Sequence, residues 1–246
     1  MVQQTTGKAG LHLVDDKQDC ERCDSQDCCL RSSLDDDQME ALTSIVRLRG
    51  PYKPGDAIFK IEDPFKSLFS IQSGAVKIES ISQGGNRDVS GFYFAGELTG
   101  IESIGDARYN NDAIALETTW VCELPFHQLE LLCGAIPALQ RQILILLGEK
   151  IRRTNSIVVQ GRHMKAEKRV MYFLHNLCRR EALRHNNRSK KVHLPMTKGD
   201  IASYLGLRPE SLSRALSKLQ REGSIRNSAK QIELLDQAAA YEFACD

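Results

Sequence analysis

The 246-residue sequence predicts an α+β chain with a β-sandwich or barrel, then one long helix, then a helix-turn-helix. Three observations carry this. Between Arg49 and Glu123 short apolar runs alternate with turn signals roughly every eight to twelve residues, the habit of layered all-β structure. From Pro137 to Gln160 apolar residues recur at helical spacing. From Thr197 to Lys218 two short helical patterns flank Gly206 and Pro209.

Composition bounds the rest. An apolar share of 41% and a charged share of 26% fit a globular chain of one to two domains. No apolar run approaches the length of a membrane span, and the N-terminus has no leader-type stretch. The expected location is therefore the cytoplasm, where thiols stay reduced and eight cysteines are not mainly disulfides. The net charge of +1 hides an asymmetry: residues 1–160 hold 16 basic and 23 acidic side chains, residues 161–246 hold 17 and 9. An acidic front and a basic back point to a polyanion as partner of the last third.

The first element is chemical. Cys20, Cys23, Cys28 and Cys29 fall within ten residues, and Val2 to Asp19 has too few large apolar residues to build a core around them. Thiolates crowded in a polar segment fit a zinc ion or an iron–sulfur centre. The C-x2-C-x5-C spacing supplies three ligands. The fourth is Cys28 or a distant residue, with Cys122, Cys133, Cys178 and Cys245 as candidates.

A helix is expected from about Asp35 to Val46. Acidic residues favour its first turn, and Leu34, Met39, Leu42, Ile45 and Val46 recur near helical spacing. Strands follow at 57–61, 67–71, 75–78, 89–94 and 120–124, bounded by turn signals such as Pro54-Gly55-Asp56 and Ser73-Gly74. On the long helix Leu139, Ile143 and Leu146 mark one face. Leu144, Leu147, Ile151, Thr154 and Val158 mark another, at the spacing of a coiled-coil seam. One face suits the chain's own barrel, the other a second copy. A helix over 164–183 turns Met171, Phe173, Leu174, Leu177 and Cys178 mostly inward, and a polar loop over 184–191 follows.

Thr197 is a good N-cap, with Asp200 three residues on as a near-miss to a capping box. Gly206 suits a left-handed C-cap, and Pro209 suits the first position of the next helix. That helix buries Leu212, Ala215, Leu216 and Leu219 and presents Glu210, Ser213, Arg214 and Ser217 near its N-terminal end, the end that enters a major groove. Arg can donate twice to guanine, Glu can accept from cytosine and Ser can do either. Lys198, Lys218 and Arg221 are placed for phosphates. A strand pair around Ile225 and Ile232 and a short helix near Ala238 complete the chain. No enzyme is indicated: Cys20-x-x-Cys23 has no βαβ context, the histidines have no metal spacing, and no nucleophile–base pair stands out.

In this arrangement the chain resembles the Crp/Fnr family of bacterial transcription regulators, and within it the oxygen-sensing fumarate and nitrate reduction regulators. Cys20, Cys23, Cys29, Cys122 and the segment Glu210-Ser-Leu-Ser213-Arg214, the family's E-x-x-S-R motif, carry the resemblance. It covers nearly the whole length. It implies a jelly-roll-like β-roll sensor of cyclic-nucleotide-binding type over 31–136 behind a cluster-binding segment at 1–30, a dimerisation helix over 137–160 and a winged helix-turn-helix over 161–246. It implies a [4Fe–4S] cluster on those four cysteines, whose loss in oxygen takes apart an active homodimer that reads palindromic TTGAT-like sites on double-stranded DNA. RNA polymerase is the implied further partner, through surface turns such as 83–87. The same resemblance argues against a cyclic nucleotide: Gly96-Glu97-Leu98 opens the family's cassette, but Asn111-Asp112-Ala113 stands where a phosphate anchor needs Arg and Ser or Thr. The rival within this fold is a structural zinc or thiol-redox sensor. Cys28, beside Cys29, is a spare thiol.

Overall fold

A computed structural model of the chain describes residues 29–30, 32–81, 85, 87–185, 190–228 and 230–235. Helix α1 (Asp36–Ile45) opens with a reciprocal cap: the Asp35 carboxylate accepts from the Gln38 amide at 2.9 Å, and the Gln38 side chain accepts from the Asp35 amide.

Eight strands then build two four-stranded antiparallel sheets. They are β1 (Arg47–Tyr52), β2 (Ala57–Phe59), β3 (Ser67–Ser73), β4 (Ala75–Ile81), β5 (Arg87–Phe94), β6 (Leu98–Thr99), β7 (Asp112–Ala115) and β8 (Thr119–Pro125). One sheet runs β1-β8-β3-β6, the other β2-β7-β4-β5. Their inner faces share a core of Phe59, Phe69, Ile71, Val76, Ile78, Tyr93, Tyr109 and Val121. Gly74 makes the tight β3–β4 turn at φ +86°, where a Cβ would meet the Thr118 carbonyl oxygen at 2.5 Å. The strands over 57–61, 67–71, 75–78, 89–94 and 120–124 were legible. Those at β1, β6 and β7 were not, because they are short or broken by Gly50-Pro51 and the turns around them.

Helix α2 (Phe126–Ala135) also escaped the sequence reading. It buries only Leu129 fully and leaves Leu131 outward, so its apolar pattern has no clean period. Helix α3 (Pro137–His163) runs slightly beyond the expected Gln160. The front of α3, α1 and α2 pack on the outer face of the first sheet, in a cluster holding Leu30, Leu42, Leu68, Leu98, Ile101, Leu124, Leu129, Ile136 and Leu139.

The last third comprises α4 (Ala166–His185), β9 (Lys191–His193), α5 (Lys198–Tyr204), α6 (Pro209–Arg221), β10 (Ile225–Ser228) and β11 (Gln231–Leu234). The small sheet β10-β11-β9 adds a third strand, beginning where the expected loop over 184–191 ends, that the sequence reading did not place. Asp200 completes the capping box of α5 that spacing alone rated a near-miss: Thr197 Oγ1 accepts from its amide at 3.1 Å and its carboxylate accepts from the Thr197 amide at 2.9 Å. Gly206 takes the left-handed conformation at φ +61° and Pro209 opens α6, as the turn requires. This third rests on the second sheet of the roll. Phe92 of β5 packs against Phe173 and Tyr204, the Val89 amide donates to Ser203 Oγ at 2.9 Å, and Lys77 bonds Asp200 at 2.7 Å. No helix among the described residues is long and apolar enough to cross a membrane. Cys20, Cys23, Cys28, Cys245 and the helix near Ala238 lie outside the described residues, as does most of the turn 83–87.

Candidate nucleic-acid interface and metal-binding face

Helix α6 divides into two faces. Leu212, Ala215, Leu216 and Leu219 are buried against α4 and α5, and Glu210, Ser213, Arg214, Ser217, Lys218 and Arg221 are exposed. The split follows from the i, i+3, i+4, i+7 spacing of the apolar residues. Lys198 is exposed at the first position of α5. All six residues expected at a DNA surface therefore reach solvent: Lys198, Glu210, Ser213, Arg214, Ser217 and Lys218. One of them carries a tertiary contact that sequence spacing could not reveal. Lys218 Nζ lies 3.0 Å from Glu167 Oε1 in the first turn of α4.

The cysteines divide differently. Cys122 is half-buried in β8, opposite Leu48 of β1 and Ser70 of β3. Alternation along β8 puts it on the same outer face as Leu124. Leu124 belongs to the cluster that buries Leu30, the residue next to Cys29. Cys29 therefore ends its segment on the face that carries Cys122. Ser32, three residues on, accepts from Gln142 of α3 at 3.0 Å, so this end of the segment also touches the long helix. Cys133 of α2 packs on the same cluster, and burial followed by the Glu130 charge pushes its thiol pKa up. Cys178 lies far from that face, in α4. Burial, then Glu181, pushes its thiol up to about 12, and its sulfur donates to the Lys190 carbonyl at 3.8 Å. Among the described residues no three metal-ligating side chains converge, and two of the four expected ligands lie outside those residues.

The residues of the expected seam on α3 fall in two settings. Leu144 and Ile151 are 62% and 59% exposed, with Thr154 outward and Ile145 beside them. Leu147, expected in the same seam, instead leans on the roll's cluster with Ile143 and Leu146. It lies only about 40° round the helix from Ile143, so it straddles the two faces. The side chain of Val158 is outside the described residues. Beside the seam, Lys150 contacts the Glu102 carboxylate and lies over the Tyr93 ring, whose hydroxyl donates to Glu102 at 2.9 Å. Burial, and next the Arg153 charge, pull the Lys150 ammonium down to about 7.

The place of the cyclic-nucleotide cassette is held by internal pairs. Arg180 of α4 bonds Glu97 at 2.7 Å through Nε, with a second bond through Nη2, and Arg153 of α3 lies 3.7 Å from the same carboxylate. Asp112 is 4% exposed, pairs with Arg87 and accepts from the Ile61 amide at 2.7 Å. Asn111 accepts from Ser80 at 2.8 Å.

Comparison with known proteins agrees with this architecture. Residues 49–135 match the cyclic nucleotide-binding domain family, and residues 168–239 match the Crp-like helix-turn-helix domain family. The chain is 34% identical over 225 residues to the fumarate and nitrate reduction regulatory protein of Escherichia coli K12, covering 92% of this chain and 90% of that one. It is 36% identical over 217 residues to electron transport regulator A of Shewanella oneidensis, covering 88% and 86%. The structure of FixK2 from Bradyrhizobium japonicum is similar at a TM-score of 0.72 and 25% identity, over 82% of this chain and 98% of that one.

Proposed function

The chain belongs to the Crp/Fnr family of transcription regulators, which are not enzymes, and from that premise we propose that it senses oxygen and switches anaerobic gene expression. The proposed cofactor is a [4Fe–4S] cluster on Cys20, Cys23, Cys29 and Cys122. When bound, such a cluster supplies an oxygen-labile tie between residues 20–29 and β8. The observation that carries the reading is the shared burial of Leu30 and Leu124, which brings Cys29 to the sheet face of Cys122. The donor set fits in kind: four thiols are the ligands such a cluster takes, and Cys122 is partly exposed on its strand.

The route to DNA runs through α3. Leu30 packs in the cluster that receives Leu139, Ile143, Leu146 and Leu147, and Ser32 bonds Gln142. Tying or releasing the segment before Leu30 thus bears directly on how α3 rests on the roll. Its outward stripe of Leu144, Ile151 and Thr154 is proposed to pair with a second copy. Two copies present two α6 helices to half-sites about one helical turn apart, where one copy reads a single half-site. Arg214 and Glu210 read base edges, Ser213 and Ser217 support them, and Lys198 and Lys218 hold phosphates. Palindromic TTGAT-like sites are the proposed target, with RNA polymerase as the next partner. No cyclic nucleotide takes part in this reading. Asp112 puts a buried carboxylate where a phosphate would bind, and Glu97 is already committed to Arg180.

The test is the visible spectrum of protein purified without air. A broad brown absorbance that bleaches in oxygen, with loss of dimer by sedimentation, is the expected result. A colourless protein containing zinc would overturn the cofactor.

A further inference from the structure

We propose that Glu167 sets the DNA affinity of the recognition helix, by competing with phosphate for Lys218. This rests on reading α6 as the DNA helix and goes beyond it by assigning a carboxylate that opposes binding. The first turn of α4 and the exposed flank of α6 enclose an open groove of about 570 Å³, lined among others by Glu167, Ser213, Arg214, Ser217, Lys218 and Arg221. Of its lining groups, Lys218 and Arg221 suit a phosphate strand that runs beside a helix seated in the major groove, with the base-reading Arg214 next to them. Glu167 is the carboxylate in that lining. Its Oε1 lies 3.0 Å from Lys218 Nζ, whereas Glu222, the C-cap residue of α6, comes only to 4.0 Å. The pair spans 51 residues, so it belongs to the fold and not to the helix alone.

Glu167 is ionised wherever DNA would bind. Its bond with its own backbone amide, and next the bond from Lys218, hold its carboxyl below the usual range. The same contact raises the Lys218 ammonium. Lys218 must therefore exchange a carboxylate for a phosphate on binding, and the freed carboxylate stays in the groove beside the phosphate strand. Both effects lower affinity for any sequence alike. A half-site held weakly makes occupancy depend on two copies acting together, which is what a regulator controlled by dimerisation needs.

The experiment compares the wild type, Glu167→Gln, Lys218→Gln and the double variant, each as full-length chain purified without air. Fluorescence anisotropy measures binding to a palindromic duplex and to a scrambled one across a salt series. Glu167→Gln is expected to tighten both by about three- to tenfold at low salt, with a steeper slope of log K against log salt, because no freed carboxylate takes up cations on binding. In the Lys218→Gln background the gain should be smaller, because only the repulsion between Glu167 and the phosphate strand is left to relieve. Glu167→Asp keeps the anion in the first turn of α4 and shortens its reach, so it should fall between wild type and Gln with an unaltered melting curve. Equal or weaker binding by Glu167→Gln, with an unchanged slope, overturns the proposal while the wild type still prefers the palindrome. A wild type that binds the two duplexes equally sinks the reading of α6 itself, and this assignment with it.

Discussion

Arg180 of α4 holds Glu97 of the roll by two bonds, one of 2.7 Å, while its Nη2 also donates to the Phe92 carbonyl at 2.6 Å. Both side chains are largely buried, and Arg153 of α3 approaches the same carboxylate. Roll, long helix and DNA-binding third thus meet on one anion. Removing one partner of a buried pair leaves an uncompensated charge, so Glu97→Gln should destabilise by about 3 kcal/mol. Urea unfolding measures this. Replacing Arg180 and Glu97 together by Met and Gln should cost less than either single change. A loss under about 0.5 kcal/mol for Glu97→Gln would mean that the pair is solvated.

Lys77 and Asp200 join the roll to α5, and the Asp200 carboxylate also caps that helix. Burial pushes the Asp200 carboxyl upward, but the bonds from Lys77 and Thr197 outweigh it and leave it below its ordinary value. A carboxyl held low when folded stabilises above its unfolded pKa of about 3.9, and that contribution disappears as pH falls through the folded value. Asp200→Asn should therefore melt lower than wild type at pH 7, and the gap should narrow steadily as pH falls below about 3.9. Melting curves across that range decide it; a gap independent of pH would show that the charge is not what matters.

On DNA, Arg214→Ala should cost about 1–3 kcal/mol and relax discrimination at one base position, since a bidentate contact to guanine is lost. Lys218→Ala should weaken all sequences alike. Competition assays with single-base variants of the site separate the two. Equal loss on palindromic and scrambled DNA for Arg214→Ala would remove it from base reading.

Serine at Cys20, Cys23, Cys29 or Cys122 should abolish the brown absorbance. Serine at Cys133 should keep it, although Cys133 packs on the same cluster as Leu30, because burial and Glu130 disfavour its thiolate. Cys28→Ser should keep the cluster with a changed lifetime in air. Iron analysis of the series tests the set, and iron lost from Cys28→Ser but kept in Cys29→Ser would exchange those two roles.

The seam proposed on α3 is apolar but would be weak. Gly148 costs about 1 kcal/mol relative to Ala within a helix, and Thr154 puts a hydroxyl where Leu or Ile packs better. Thr154→Leu should stay dimeric and DNA-bound in air, and Ile151→Ala should be monomeric with its cluster intact. Sedimentation with and without oxygen reads both. Full dissociation of Thr154→Leu in air would mean that the outward stripe is not the interface.

Much of this was legible in the chain itself, because the signals are local. The alternation along β3, β4 and β5, the left-handed Gly206, Pro209 at the head of α6 and the stripe of Leu212, Ala215, Leu216 and Leu219 each follow from the backbone and side-chain preferences of a few adjacent residues. Short strands such as β6, β7 and β9 were not legible, since a few residues carry too little pattern and their pairing lies with strands far away in sequence. Nor was the side of α3 on which Leu147 falls, which depends on how the helix is rotated against the roll. The tertiary structure alone decided which charges meet: Glu97 with Arg180, Lys77 with Asp200, Glu167 with Lys218. These partners are 51 to 123 residues apart, so no spacing rule reaches them. A charged side chain reads as solvated until the fold brings its counter-ion within a few ångströms, and only then does its energy depend on a residue that the local sequence never mentions.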